Sequence, residues 1–220
     1  MQKFATPAPI TAVLDVAAGS VRFIAADRAD TTVEIRPADP GKNRDVRTAE
    51  QTTATYTDGL LTIRTAKTGN TLFGAGCLEI TVQLPAGSAV EADTQACELR
   101  VVGRLGDLAF TGAHHRIKID EAAGARITAI DGDIEIGRLT GPATLTTARG
   151  DIRITQADRG TLALTTRSGN ITVGTATATS AALDAATGHG RISNALRNDG
   201  TTTLHIRATT SHGDITAHTH

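Results

Sequence analysis

Asp131, Asp133 and Asp151 fall in two phrases that echo each other, AIDGDIEI and ARGDIRI. Carboxylates brought together in this way can serve as general acid and base on a glycosidic bond. With water they can also hold Ca²⁺. The first chemistry describes a polysaccharide-acting β-solenoid enzyme that uses Asp131, Asp133 and Asp151. The plainer reading is that Asp after Gly in a bend bonds nearby backbone and faces solvent. The equivalent place elsewhere holds Arg116, Asn170 or Arg191, so the position is not uniformly acidic. The plainer reading is preferred: no catalytic residue is assigned, and Asp133 and Asp151 stay as weak cation candidates. Histidines offer a second chemistry. His189 and His212 occupy equivalent places and could share a metal, but no third ligand of defined spacing accompanies them. His114, His115, His218 and His220 read as exposed turn residues. No G-x-S-x-G, H-E-x-x-H or phosphate-loop sequence occurs, and no cofactor is expected.

These residues sit in a repeat. With the recurring glycine or its equivalent set to zero, seven segments align without gaps at Cys97, His115, Gly132, Gly150, Gly169, Gly190 and Gly213. Position +2 is Leu99, Ile117, Ile134, Ile152, Ile171, Ile192 and Ile215, apolar every time. Positions −7, −5 and +4 are mostly apolar, whereas +1 and +3 are mostly polar or charged. This period-two alternation marks strands with one dry and one wet face, separated by a bend where glycine relieves the backbone. Such a coil cannot bury its apolar face alone but can do so by stacking on its neighbours. The fold class expected is all-β: a single-stranded parallel β-solenoid of seven to eight coils, the eighth at TLFGAGCLEITV. The run SAALDAA has a helical look, yet its Leu183 and Ala185 keep the register.

Residues 1–70 contain strand-like runs without the repeat and are expected to form a β-rich cap on the solenoid of residues 71–220. The charged stretch PADPGKNRDVRTAE reads as a mobile surface excursion. At the other end the apolar column fades to Asn194 and Ala217, and only five residues follow Ile215. That places an open strand edge at the C-terminal coil, through which two copies are expected to meet.

Composition narrows the function classes. Twenty-two basic and twenty-three acidic side chains argue against nucleic-acid binding, which needs a basic stripe. One tyrosine, four phenylalanines and no tryptophan leave few stacking platforms. Neither a secretory leader nor a membrane span is recognisable, so the chain as written is expected in the cytoplasm. Cys77 and Cys97 are too few for a disulfide framework. Threonine recurs at positions −4 and −3. It reads as a β-branched strand residue rather than an ice-binding array, because Arg126 and Arg207 interrupt the neighbouring column at −6.

The phrases GSVRFIAADR, TVEIRPAD, DGLLTIRT and ITVQLPAGS, followed by serial T-x-x-G-D-I, resemble the actinobacterial branch of a family of β-strand-repeat proteins of unknown function, the "putative adhesin" family. The resemblance runs nearly end to end. It implies a β-solenoid with no established activity, and relatives that are often envelope associated. The expected function is a non-enzymatic interaction or scaffold protein. The alternatives are the polysaccharide-acting enzyme above and a polymer-forming, bactofilin-like scaffold.

Overall fold

The polar–apolar alternation is realised as stacked parallel strands in a computed structural model, which describes residues 1–66, 76–114 and 116–220. The chain divides into two compact units, Met1–His114 and His115–His220.

The first unit contains β1 (Gln2–Ala5), β2 (Thr11–Ala26), β3 (Asp30–Pro37), helix α1 (Asn43–Glu50), β4 (Thr52–Thr57), β5 (Leu60–Thr65), β6 (Cys77–Pro85) and β7 (Ala89–His114). Strand β2 is itself a coil of the repeat. It lies parallel to β7 with Ala12 opposite Val90, Gly19 opposite Cys97, Val21 opposite Leu99 and Phe23 opposite Val101. On its other side β2 is parallel to β5 and β6, with Leu14 opposite Ile63 and Val21 opposite Ile80. The expectation that the first seventy residues lack the repeat is therefore corrected. Between Gly19 and Cys97 the chain makes β3, α1, β4, β5 and β6, so β2 has no neighbouring bend at the regular spacing that runs from Cys97 onward. Ile80 and Val82 occupy apolar columns as expected of the eighth coil, whose first residues, 71–75, lie outside the described residues.

Antiparallel strands flank this stack. β3 runs antiparallel to β6, β4 to β5 and β1 to β3. The stretch read as a mobile excursion forms α1 instead. Its Asp45 is 2 % exposed and accepts the backbone N–H of Cys77 at 3.0 Å, with the Arg44 guanidinium 3.5 Å away. Thr48 accepts the N–H of Gly76. Short polar side chains that bond distant backbone thus fix a segment whose composition looks solvated. Cys77 and Cys97 are free thiols on the two strands flanking β2. Burial pushes the Cys97 thiol up to about 12, so it is protonated and inert at neutral pH.

The second unit contains β8 (Ile117–Asp131), β9 (Ile134–Leu139), β10 (Ala143–Arg149), β11 (Ile152–Ala157), β12 (Gly160–Ser168), β13 (Ile171–Thr175), β14 (Ala181–His189), β15 (Ile192–Ala195), β16 (Leu204–His212) and β17 (Ile215–Thr219). The pairings follow the repeat register, apart from a shift between β11 and β13 after Ile154. Ala125, Ala143, Leu162, Ile206 and Leu183 form one column, and Ile134, Ile152, Ile171, Ile215 and Ile192 another. The run SAALDAA is strand, as its register requires.

The stacking order departs from chain order. β16 lies between β12 and β14, and β17 lies between β13 and β15. The C-terminal coil is therefore an interior coil, with Ile215 and Ala217 each 1 % exposed. The expected open edge at that coil is corrected, and the ground for expecting self-association there goes with it. Among the described residues, β14 and β15 are the strands of this end with a register partner on one side only. Accordingly Ile192 is 48 % exposed and Asn194 is exposed. The fading apolar column was a real signal, but it belongs to residues 181–195.

Candidate functional site

The Asp-bearing corner is held by three files of hydrogen bonds that step from coil to coil. In the first, each side-chain oxygen at position +1 accepts the +1 backbone N–H of the adjacent coil. Asp133 accepts from Asp151 at 2.9 Å, Asp151 from Asn170 at 2.7 Å, Asn170 from Asp214 at 2.8 Å and Asp214 from Arg191 at 2.8 Å. In the second, the glycine N–H donates to the residue before the neighbouring bend, as from Gly150 to the Ser168 carbonyl at 2.9 Å. In the third, threonines at position −3 donate to glycine carbonyls: buried Thr166 to Gly150 at 3.1 Å, buried Thr210 to Gly169 at 3.0 Å and half-buried Thr187 to Gly213 at 2.9 Å. A coil corner otherwise exposes backbone groups that need partners. The recurring T-x-x-G-D-I phrase supplies them: Thr gives a donor, Gly allows close approach and Asp gives an acceptor.

The structure thus places Asp133 and Asp151 on adjacent coils, as the alignment implies, but engages both as acceptors of backbone N–H. Asp131 lies on the other side of the bend, with its carboxylate 2.8 Å from the Arg149 guanidinium. Among the described residues no three His, Cys, Asp or Glu side chains converge as metal ligands. Asn serves at Asn170 as Asp does elsewhere, so the position requires an oxygen rather than a charge. Replacing Asp151 by Asn is therefore expected to leave stability nearly unchanged, whereas Asp151→Ala should lose about 1 kcal/mol. Urea unfolding of both variants checks this. If Asn costs as much as Ala, the negative charge itself matters, as it would at a cation site.

His189 and His212 do come together. Their rings stack with centroids 4.9 Å apart and planes 2° from parallel. Ring-nitrogen lone pairs lie in the ring planes, so stacked rings aim them along parallel directions rather than at one ion. His218 and His220 meet edge to face at 4.9 Å, and His220 Nε2 donates to the Thr155 carbonyl at 3.0 Å. His115 and the side chain of His114 lie outside the described residues.

Sequence reasoning missed the concavity on the outer face of the first unit. It encloses about 520 Å³ above β6, β2 and β7. Because these strands are in register, their outward side chains form rows across the stack. One row is Glu79, Ser20, Glu98; the next is Thr81, Arg22, Arg100; a third is Gln83, Ile24, Val102. Neighbouring strands are about 4.8 Å apart and alternate residues along a strand about 7 Å apart. Arg22 and Arg100 are thus direct neighbours of like charge, and Arg100 Nη1 donates to the Val101 carbonyl at 2.7 Å. The only available signal was the phrase GSVRFIA beside CELRVV, legible once Gly19 is aligned with Cys97.

Parallel coils with glycine corners, in this order, define a recognisable sequence profile. The model of the Toastrack DUF4097 family matches residues 12–219. The chain belongs to the Toastrack DUF4097 family. The match begins at β2, in keeping with the first coil lying there. No curated protein matches this Toastrack chain in sequence. Among solved structures it resembles a "putative adhesin" from Bacteroides fragilis, at 13 % identity and a TM-score of 0.57, over 98 % of this chain and 95 % of that one. A "putative cell adhesion protein" from Clostridium sporogenes aligns at 13 % identity and a TM-score of 0.43, over 100 % and 98 % of the two chains. At 13 % identity the likeness to the Bacteroides fragilis structure speaks for the fold alone. No described helix of the Toastrack chain is long and apolar enough to cross a membrane.

Proposed function

We propose that this Toastrack protein is a non-enzymatic, adhesin-like interaction module that presents the outer rows of its coils to a partner. One observation carries the reading: the polar residues that looked chemical, Asp133, Asp151 and the column threonines, are spent on coil-to-coil hydrogen bonds. What remains for contact is the outward face, including the concavity over β6, β2 and β7. The Bacteroides fragilis "putative adhesin" of the same fold supports an interaction role. In this reading β1, β3, α1 and β4 cover the edge of the stack that β5 and β6 begin. Incubation with polysaccharides while following new reducing ends tests it. Turnover that disappears in the Asp133→Asn, Asp151→Asn double variant would establish the enzyme reading instead.

The polymer-forming alternative meets an obstacle at β14 and β15. The next coil of a stack would need a side-chain oxygen at position +1, and Arg191 has none to offer. Asn194 adds a polar group at position +4, where a stacking partner would want an apolar one. The parent is therefore expected to form no filaments, whereas Arg191→Asp combined with Asn194→Ile should promote end-to-end association. Light scattering and electron microscopy check both. Filaments of the parent would overturn the assignment of these residues as a stop.

A further inference from the structure

We propose that the uncovered edge of β14 and β15 takes an extended, acidic strand from another protein, added in parallel as the next coil of the stack. The contact uses edge backbone and the ends of the apolar columns rather than the outer rows, so it goes beyond the reading above. Three observations carry it. First, the backbone ladder stops with donors facing outward. Gly213 and Ile215 donate to the His189 and Arg191 carbonyls, each at 2.9 Å. β14 and β15 have register partners on one side only, so the equivalent N–H groups of Gly190 and Ile192 meet no acceptor among the described residues. The chain itself shows that this edge accepts a neighbour, since the Ala181 N–H donates to the Arg197 carbonyl at 3.0 Å. Leu183 and Ala185, alternate residues of the same strand, present the next steps of that ladder. A strand added to such an edge gains main-chain hydrogen bonds, while side-chain fit selects its sequence. Second, two apolar columns end here half covered. Ile192 is 48 % exposed beside Ile215 at 1 %, and half-buried Leu183 stands beside buried Ile206. Apolar residues at the same two places of an added strand would cover both. Third, the edge is basic. The carboxylates between residues 181 and 199, those of Asp184 and Asp199, are matched by Arg207 at 3.3 Å and Arg197 at 3.7 Å. Exposed Arg191 has no ion-pair partner among the described residues, and exposed His189 offers a ring N–H across the Gly190 bend. Carboxylates at positions −1 and +1 of the added strand complement both, which singles out a D-G-D-I pattern. A second copy of the chain fits poorly, because a two-fold contact centred on the bend sets Arg191 and His189 against their own copies.

The probe is a synthetic peptide, ARITAIDGDIEI, in the order of residues 125–136, which sets Asp131 and Asp133 across from His189 and Arg191. Titrated into the isotopically labelled full chain, it should shift the NMR amide signals of residues 183–194, with a dissociation constant of about 100 μM or tighter. The same peptide carrying Asp131→Lys and Asp133→Lys should bind at least about tenfold more weakly. In the Arg191→Glu chain that preference should reverse, which a general disturbance of the fold would not produce. Four results overturn the proposal: no shifts at about 1 mM peptide, shifts confined to the outer rows of other coils, equal binding of the two peptides, or an unchanged preference in Arg191→Glu. Shifts of the same amides that grow with the concentration of the chain alone overturn it as well, because the occupant would then be a second copy.

Discussion

Ile152→Asp is expected to abolish the cooperative unfolding transition of the His115–His220 unit, while the equivalent change Ile192→Asp leaves it in place. Ile152 is completely buried, between Ile134 and Ile171 in the same column. Aspartate there forfeits about 3 kcal/mol of apolar burial. It also puts an unpaired carboxylate among isoleucines, which costs several kcal/mol more or forces the group to protonate. A domain whose whole stability is about 5–15 kcal/mol has little left after such a loss. Ile192 holds the same place in the repeat, but on a coil with a neighbour on one side only it is 48 % exposed. Its carboxylate would stay hydrated, and the expected loss is about 1 kcal/mol. Urea unfolding followed by circular dichroism separates the two. Equal losses would mean that a further chain covers β15 in solution.

Gly150→Ala should cost about 3–5 kcal/mol, against about 1 kcal/mol for Gly200→Ala. Both glycines have positive φ, +134° at Gly150 and +93° at Gly200, so both substitutions strain the backbone. Only Gly150 faces a second constraint. A Cβ built there would stand 2.2 Å from the Gly132 carbonyl oxygen, whereas nothing lies within 4 Å of a Cβ at Gly200. The obstructing atom is backbone of the adjacent coil, so relief requires the coils to part and the corner hydrogen bonds to lengthen. For a unit of this size the difference corresponds to roughly 10–20 °C in melting temperature. Calorimetry of the two variants measures it, and similar losses would show that conformational strain alone keeps glycine at the corner.

Both expectations depend on facts of two kinds. Alternation of side-chain direction is set by the strand itself, so the buried columns through Ile134, Ile152 and Ile171 could be read from residue order. So could the corner, because a bend that stacks on copies of itself admits little but glycine. The same logic failed at Cys97 and Gly19. There β3, α1, β4 and β5 separate β2 in the chain from β6 and β7, its neighbours in space, the repeat spacing is lost, and β2 was left out of the stack to which it belongs. It failed too at residues 43–50, where burial of Asp45 depends on the distant N–H of Cys77.

The local phrase determined the coil: its two strands, its dry columns and its polar corner. It did not determine which coil lies beside which. Leu162, Leu183 and Ile206 present nearly the same surface, so a coil bearing any of them can stack on a coil bearing another. Only the assembled structure puts β16 and β17 between β12–β13 and β14–β15, and β2 between β6 and β7. That choice decides which apolar column is left half covered, and it creates the arginine pair at Arg22 and Arg100 from residues seventy-eight apart. Side-chain direction is a property of one strand, whereas neighbourhood is a property of the stack. Interchangeable columns therefore leave the order of stacking to the tertiary structure.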